Sequence, residues 1–308
     1  MASRRFTLLL VLATLIGPMA GFWAARRLAP QPPARLLQMR SEPVPIGPVE
    51  TKVVGATLEL ALAALGESQG LALNEAIVTI ASSFVGYPYA AFPLDGALRE
   101  RLRLDLTGFN GMALVNQVLA LAHSRGAQTR QELLGRVAPH LRLLRYEAGQ
   151  VDFCQRHHYF SLWAKAAEAQ GYGVQLTRFL PGAQQRQRAL DYMSRHANSY
   201  GPMQDPRQRQ CIEELEKQLT VQQWWVPFEE MAPALAALRQ GDIVAVATEI
   251  DGLDVTDVGI VIRDRHHRPG LIHAVPADGV IANIDLARYA ASLRQGLGLV
   301  VFRPTPKR

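Results

Sequence analysis

The chain has 308 residues, 48% of them hydrophobic and 19% charged, a balance that excludes a disordered polymer and supplies enough apolar surface for a sizeable core. Its formal charge is +6, but residues 1–35 hold Arg4, Arg5, Arg26, Arg27 and Arg35 without an acid, so the rest of the chain carries +1. That near-neutral remainder argues against a nucleic-acid partner, which would need clustered Lys and Arg to neutralise many phosphates. The two cysteines, Cys154 and Cys211, are too few for a disulfide scaffold or a structural zinc site.

Arg4 and Arg5 precede an uncharged stretch over 6–25, and Arg26 and Arg27 follow it. Roughly 20 apolar residues just span a bilayer, whereas a cleaved signal has a shorter apolar region with small residues at its exit. Ala20 and Ala25 are candidate cleavage residues, but Pro18 and Trp23 sit where small residues are needed. Residues 1–27 therefore read as a signal peptide or an N-terminal membrane anchor. Both readings export the remainder, to the periplasm or cell envelope, with the inner membrane as the anchoring site.

Residues 28–54 contain Pro30, Pro32, Pro33, Pro43, Pro45 and Pro48, which favour an extended spacer over helix. A folded domain is expected over 55–308. Leu58, Leu62, Leu65, Ile77, Ile80 and Phe84 predict two short helices before the turn Gly86-Tyr87-Pro88-Tyr89. Alternating Leu102, Leu104 and Leu106 predict a brief strand. Residues 112–122, MALVNQVLALA, predict a central apolar helix with Asn110 as its N-cap. Further helices are expected at 155–169, 184–196, 206–219 and 229–239. Beyond Gly241 the short β-branched runs 242–249, 258–263, 271–275 and 299–303 predict an antiparallel sheet. Helices first and sheet second make the fold class α+β. No glycine-rich phosphate loop occurs, and nothing in the sequence implies a cofactor.

Five motifs follow one another in order: Gly86-Tyr87-Pro88-Tyr89; Leu104-Asp105-Leu106-Thr107-Gly108-Phe109; Arg156-His157-His158-Tyr159-Phe160 with Trp163; Met193-Ser194 with His196 and Ser199-Tyr200; and Gly252-Leu253-Asp254-Val255 with Val258-Gly259-Ile260. Together they resemble the bacterial N-acetylmuramoyl-L-alanine amidase-like family, a domain-of-unknown-function group within the NlpC-type, papain-like cell-wall peptidases. The resemblance runs from about Leu71 to Pro304. It implies a papain-like fold in which a central helix packs on a small antiparallel sheet.

The resemblance also implies a mechanism. A cysteine at the N-terminus of the central helix attacks an amide carbonyl, a histidine on the sheet moves the proton, and a polar residue on the next strand orients that histidine. This sequence departs from the pattern at the reacting positions. Asn110 and Gly111 stand where Asp and Cys are expected, Asp257 stands in place of the histidine, and His273 matches the orienting position. Gly111, Asp257 and His273 are expected to converge at one cleft, on a sheet that contains Val244, Val246, Val258, Ile260, Ile262 and Ile272.

Cys154 offers a relocated nucleophile beside His157 and His158, set against a buried small residue or a disulfide with Cys211; the structural readings are preferred. Asp251, Asp254 and Asp257 recur every third residue without EF-hand spacing, and His266 with His267 occupies a polar turn; no metal is assigned to either group. If the segment around them is helical, Arg156, Tyr159 and Trp163 share one face. The resemblance places Arg156, His158 and Tyr159 as candidate cleft-lining residues, with Tyr89 and Asn110 beside them. Trp224 and Trp225 could stack on a sugar, though a partly buried strand end is the simpler reading.

Three functions follow as expectations. The first is an exported amidase-like protein with a degenerate site, which binds peptidoglycan fragments or a cell-envelope protein. The second is a working amidase with an unorthodox nucleophile, and the third is an interaction module with a closed cleft. The sequence does not fix the oligomeric state.

Overall fold

A computed structural model of the chain describes residues 51–54, 58–95, 100–283 and 285–307. Residues 1–27, expected to be a signal peptide or anchor, and most of the proline-rich stretch lie outside the described residues. The last four residues assigned to the spacer, Thr51–Val54, form strand β1, which pairs in parallel with β2 at Leu102–Asp105. The folded region therefore starts before residue 55. Among the described residues, no helix is long and apolar enough to cross a membrane.

Helices α1 (Leu58–Glu67) and α2 (Leu73–Ser82) form where the apolar spacing predicts them. Helix α3 (Gly111–Ala122) is the central helix, and ten of its twelve residues are buried. A helix with no polar face needs neighbours all round. The first core cluster supplies them from α1, α2, α4 (Arg130–Arg145) and α5 (Phe160–Ala169), and from one face of the main sheet.

Strands β3 (Gly173–Gln175), β4 (Gln184–Ala189), β5 (Thr220–Pro227), β6 (Ile243–Thr248), β7 (Val255–Arg263), β8 (Pro269–Val275), β9 (Gly279–Asn283) and β10 (Gly296–Pro304) form one antiparallel sheet. Its order is β4-β5-β10-β6-β7-β8-β9, with β3 also on β10. Every residue of β6 is buried, since both of its faces are covered. Ile243 and Ala245 face the cluster around α3. Val244 and Val246 face a second cluster with Val261, Leu271 and residues of α8 (Met231–Ala237) and α9 (Leu286–Ser292). The expected sheet residues thus divide between two cores, as the pleat requires.

Two expected helices are corrected. Residues 184–189 form β4, because each pairs with a residue of β5, from Gln184 with Trp225 to Ala189 with Thr220. Only the four-residue helix α6 (Tyr192–Arg195) survives from the expected 184–196. The helix expected from 155 starts at Phe160. Asp152 accepts a hydrogen bond from the Cys154 amide and closes a 3-10 turn at Phe153–Gln155, after which Arg156 is extended. Arg156 and Tyr159 therefore do not share a helical face with Trp163. Helix α4 was not expected, although Thr129 and Glu132 form a legible start signal: Thr129 Oγ1 accepts the Glu132 amide, and Glu132 accepts the Gln128 amide. Helix α7 (Pro206–Lys217) lies where it is expected.

Candidate functional site

The N-terminus of α3 sits where three segments meet. Asn110 is its N-cap: Oδ1 accepts the Ala113 amide at 2.8 Å, while Nδ2 donates to Ala91 O at 3.1 Å. The cap thus fastens the helix to the Tyr-Pro-Tyr turn. The Phe109 amide donates to Pro88 O, and the Ala90 amide donates to Phe109 O. On its other side the turn is clamped to β9 by reciprocal bonds of Gly86 and Tyr87 with Val280. Tyr89, half-buried, packs beside this junction.

Gly111 is the first residue of α3, with β7 directly in front of it. A Cβ at this position would lie 2.7 Å from Val258 Cγ1 and 2.9 Å from Val258 O. The glycine is what permits the approach. The space a nucleophilic side chain would occupy is taken by the residue that follows Asp257.

Asp257 and His273 are joined. His273 is fully buried, and its Nδ1 lies 3.0 Å from Asp257 Oδ2. A carboxylate only accepts, so the Nδ1–H of His273 is the donor in this bond. Nε2 is buried and has no hydrogen-bond partner among the described residues. Tyr289 of α9 donates its hydroxyl to the same Asp257 oxygen at 2.8 Å and packs edge-on to the His273 ring, with centroids 4.3 Å apart. Burial raises the Tyr289 phenol, and the Asp257 charge adds to the rise; the same two causes raise Tyr89. Neither phenol is a nucleophile near neutral pH. Sequence reading missed Tyr289, whose place in an ordinary short apolar helix carries no signal of its own.

The structure therefore brings Gly111, Asp257 and His273 next to one another: Gly111 abuts Val258, and Asp257 reaches His273. What the group can do is limited. It holds a carboxylate between two donors, and it contains no thiol.

The other candidates are held elsewhere. Arg156 is largely buried and pairs with Glu100 at 2.5 and 3.1 Å and with Asp95 at 3.1 Å, over the Phe153 ring. His158 Nε2 lies 2.7 Å from Phe153 O. Burial, with the nearby Arg156 charge, pulls its pKa down to about 3, so it is neutral and donates to that carbonyl. The Tyr159 hydroxyl donates to buried Glu216, which also accepts the Ser194 amide at 2.9 Å. Each of these side chains is bonded within the protein, and among the described residues no hydrogen bond joins any of them to Asn110, Asp257 or His273.

Cys154 is bonded to Cys211, with Cα atoms 5.9 Å apart, so it carries no free thiol. The acidic triplet does not converge. Asp254 is buried and accepts the Ser161 amide at 2.6 Å at the start of α5, where a carboxylate complements the helix dipole. Asp257 serves β8 and α9. His266 and His267 form the β7–β8 turn around Asp264. Trp224 and Trp225 lie on β5 opposite Gln185 and Gln184, with Arg186 over the Trp225 ring.

A profile of the AmiA-like, N-acetylmuramoyl-L-alanine amidase-like family matches residues 79–297, the greater part of the chain. The chain belongs to this family. Among solved structures, this amidase-like chain is similar to an N-acetylmuramoyl-L-alanine amidase from Bacteroides uniformis ATCC 8492, with a TM-score of 0.69 and 21% identity over 76% of this chain and 99% of that one. It also resembles a Bacteroides fragilis protein named provisionally as a xylanase, with a TM-score of 0.66 and 27% identity over 72% of this chain and 98% of that one. A Legionella pneumophila protein matches with a TM-score of 0.64 and 18% identity over 82% and 95%. No curated protein matches the sequence. At these identities the likeness establishes the fold, and the amidase-like chain's own residues decide the chemistry.

Proposed function

We propose that this amidase-like protein is an exported, membrane-tethered component of the cell envelope that has lost amide hydrolysis and binds peptidoglycan fragments or an envelope protein. The observation that carries the proposal is Gly111: the helix terminus that would present a thiolate has no side chain, and Val258 fills the space in front of it. Asp257 in the proton-carrier position supports the same reading, because both His273 and Tyr289 donate to its carboxylate. The residue in the proton carrier's position is thus a carboxylate already bonded twice, and no thiol stands at the helix terminus for it to serve.

Export is supported by the basic residues that flank the uncharged stretch 6–25 and by the Cys154–Cys211 disulfide, a bond that persists in oxidising compartments. Purified protein incubated with peptidoglycan is expected to release no fragments detectable by mass spectrometry, under conditions in which an active cell-wall amidase does. Sustained release that survives replacement of contaminating activity with a second preparation would refute the loss of hydrolysis. Co-sedimentation with intact sacculi tests the binding half.

A further inference from the structure

The main sheet forks on one side of β10. Strand β6 borders β10 on the other side. On the forked side Gly298 and Leu299 pair with Pro227 and Val226 of β5, while Phe302, Arg303 and Pro304 pair with β3. Between these two stretches Thr177 closes the β10 edge, since its Oγ1 accepts the Val301 amide at 2.7 Å, and the Leu176 amide donates to Val301 O. Strand β5 has no such closure. Its residues 220–225 pair with β4 on one side, and among the described residues no strand pairs with them on the other. An antiparallel edge of this kind presents the N–H and C=O groups of every second residue.

A cavity of about 320 Å³ runs along that edge. Its second wall is the start of α5, and its floor is Val300, Val301 and Phe302. Lys165 and Arg178 line it, and Arg178 also lies 3.7 Å from the Glu168 carboxylate. Phe179, the residue after Arg178, is 67% exposed and has the Arg178 guanidinium over its ring. An unpaired edge flanked by two exposed cations, of which only Arg178 has an ion-pair partner among the described residues, describes one kind of occupant.

We propose that this groove is a strand-addition site for an extended, acidic segment of a partner protein. Main-chain bonds along residues 220–225 supply the register, and alternate side chains of the segment point into the cavity, where carboxylates meet Lys165 and Arg178. A peptidoglycan stem peptide fits less well, because its D-residues interrupt the regular L-pleat that strand pairing requires. The site is separate from Gly111, so it stands whether or not hydrolysis has been lost.

The test selects seven-residue all-L peptides from a displayed library on the full chain, then measures the most enriched one, fluorescently labelled, by anisotropy. The expected peptides are rich in Asp and Glu alternating with apolar residues. Lys165→Glu combined with Arg178→Gln, both at exposed positions, should weaken binding at least tenfold, and raising the salt should weaken it for the unmodified chain. Hydrogen exchange should slow at amides within 220–225 when the peptide is bound. The proposal is overturned if no acidic peptide is enriched over a neutral library, if the double variant binds equally well, or if the protected amides lie elsewhere.

Discussion

At the residue scale, the decisive position is Gly111. Alanine there would gain helix propensity worth up to about 1 kcal/mol, but its methyl group would meet Val258 Cγ1 at 2.7 Å and Val258 O at 2.9 Å. The second of these contacts is backbone and cannot rotate away. Overpacking of this kind costs about 1–3 kcal/mol, so Gly111→Ala should destabilise the protein, read as a lower urea midpoint at unchanged slope. Because the nearer contact is a side chain, Val258→Ala should relieve part of the cost, and a double-mutant cycle should show a coupling of at least about 0.5 kcal/mol. Strict additivity would mean that α3 does not lean on Val258. The identities of Gly111, Asp257 and His273 were legible in the sequence. Their surroundings were not, since only the packing shows Val258 filling the space in front of Gly111 and Tyr289 holding Asp257.

At the scale of elements, the disulfide does work that the second half of the chain otherwise lacks. Helix α7 and the 3-10 turn at Phe153–Gln155 belong to a small third core of seven buried residues, too little to fix them rigidly alone. The Cys154–Cys211 bond closes a span of 57 residues between them. Loop-closure entropy puts its contribution at about 4 kcal/mol. Reduction, or Cys211→Ala, should therefore lower the melting temperature and should expose this region to protease before the main sheet. Equal melting with and without reductant would show that the third core suffices. The segment also explains why β4 escaped sequence reading. Residues 184–189, QQRQRA, carry no apolar alternation; what makes them a strand is β5, together with Gln223, which accepts from Arg186, and Leu253 O, which accepts from Arg188.

At the scale of the whole molecule, buried histidines set a pH dependence. Burial lowers His158 to about 3, with Arg156 adding to the shift, and lowers His123 to about 4, with His140, Lys307 and Arg125 adding to it. An unfolded histidine titrates near 6.5. Below that pH the unfolded chain takes up protons that the folded chain refuses, so this contribution to stability is complete above about pH 6.5 and falls away toward pH 4 to 3. The urea midpoint should drop between pH 7 and pH 5, by an amount of order 1 kcal/mol for each histidine. His158→Gln keeps a donor for Phe153 O and should flatten the dependence. A midpoint insensitive to pH over that range would contradict neutral burial of both rings.

The sequence by itself determined the α+β class, the central helix with its Asn110 cap, most of the strands beyond Gly241, and the family. All of these are local: apolar periodicity, a capping residue and the order of short motifs are properties of neighbouring residues. Tertiary structure alone decided where Arg156, His158 and Tyr159 point, that Cys154 is spent on Cys211, that residues 184–189 are a strand, and that no strand among the described residues covers the second edge of β5 over 220–225. Those outcomes depend on partners such as Glu100, Glu216 and Gln223, which lie from 37 to 57 residues away along the chain. A side chain's role in a buried network is fixed by what the folded chain brings to it, and that information is not stored at the residue itself.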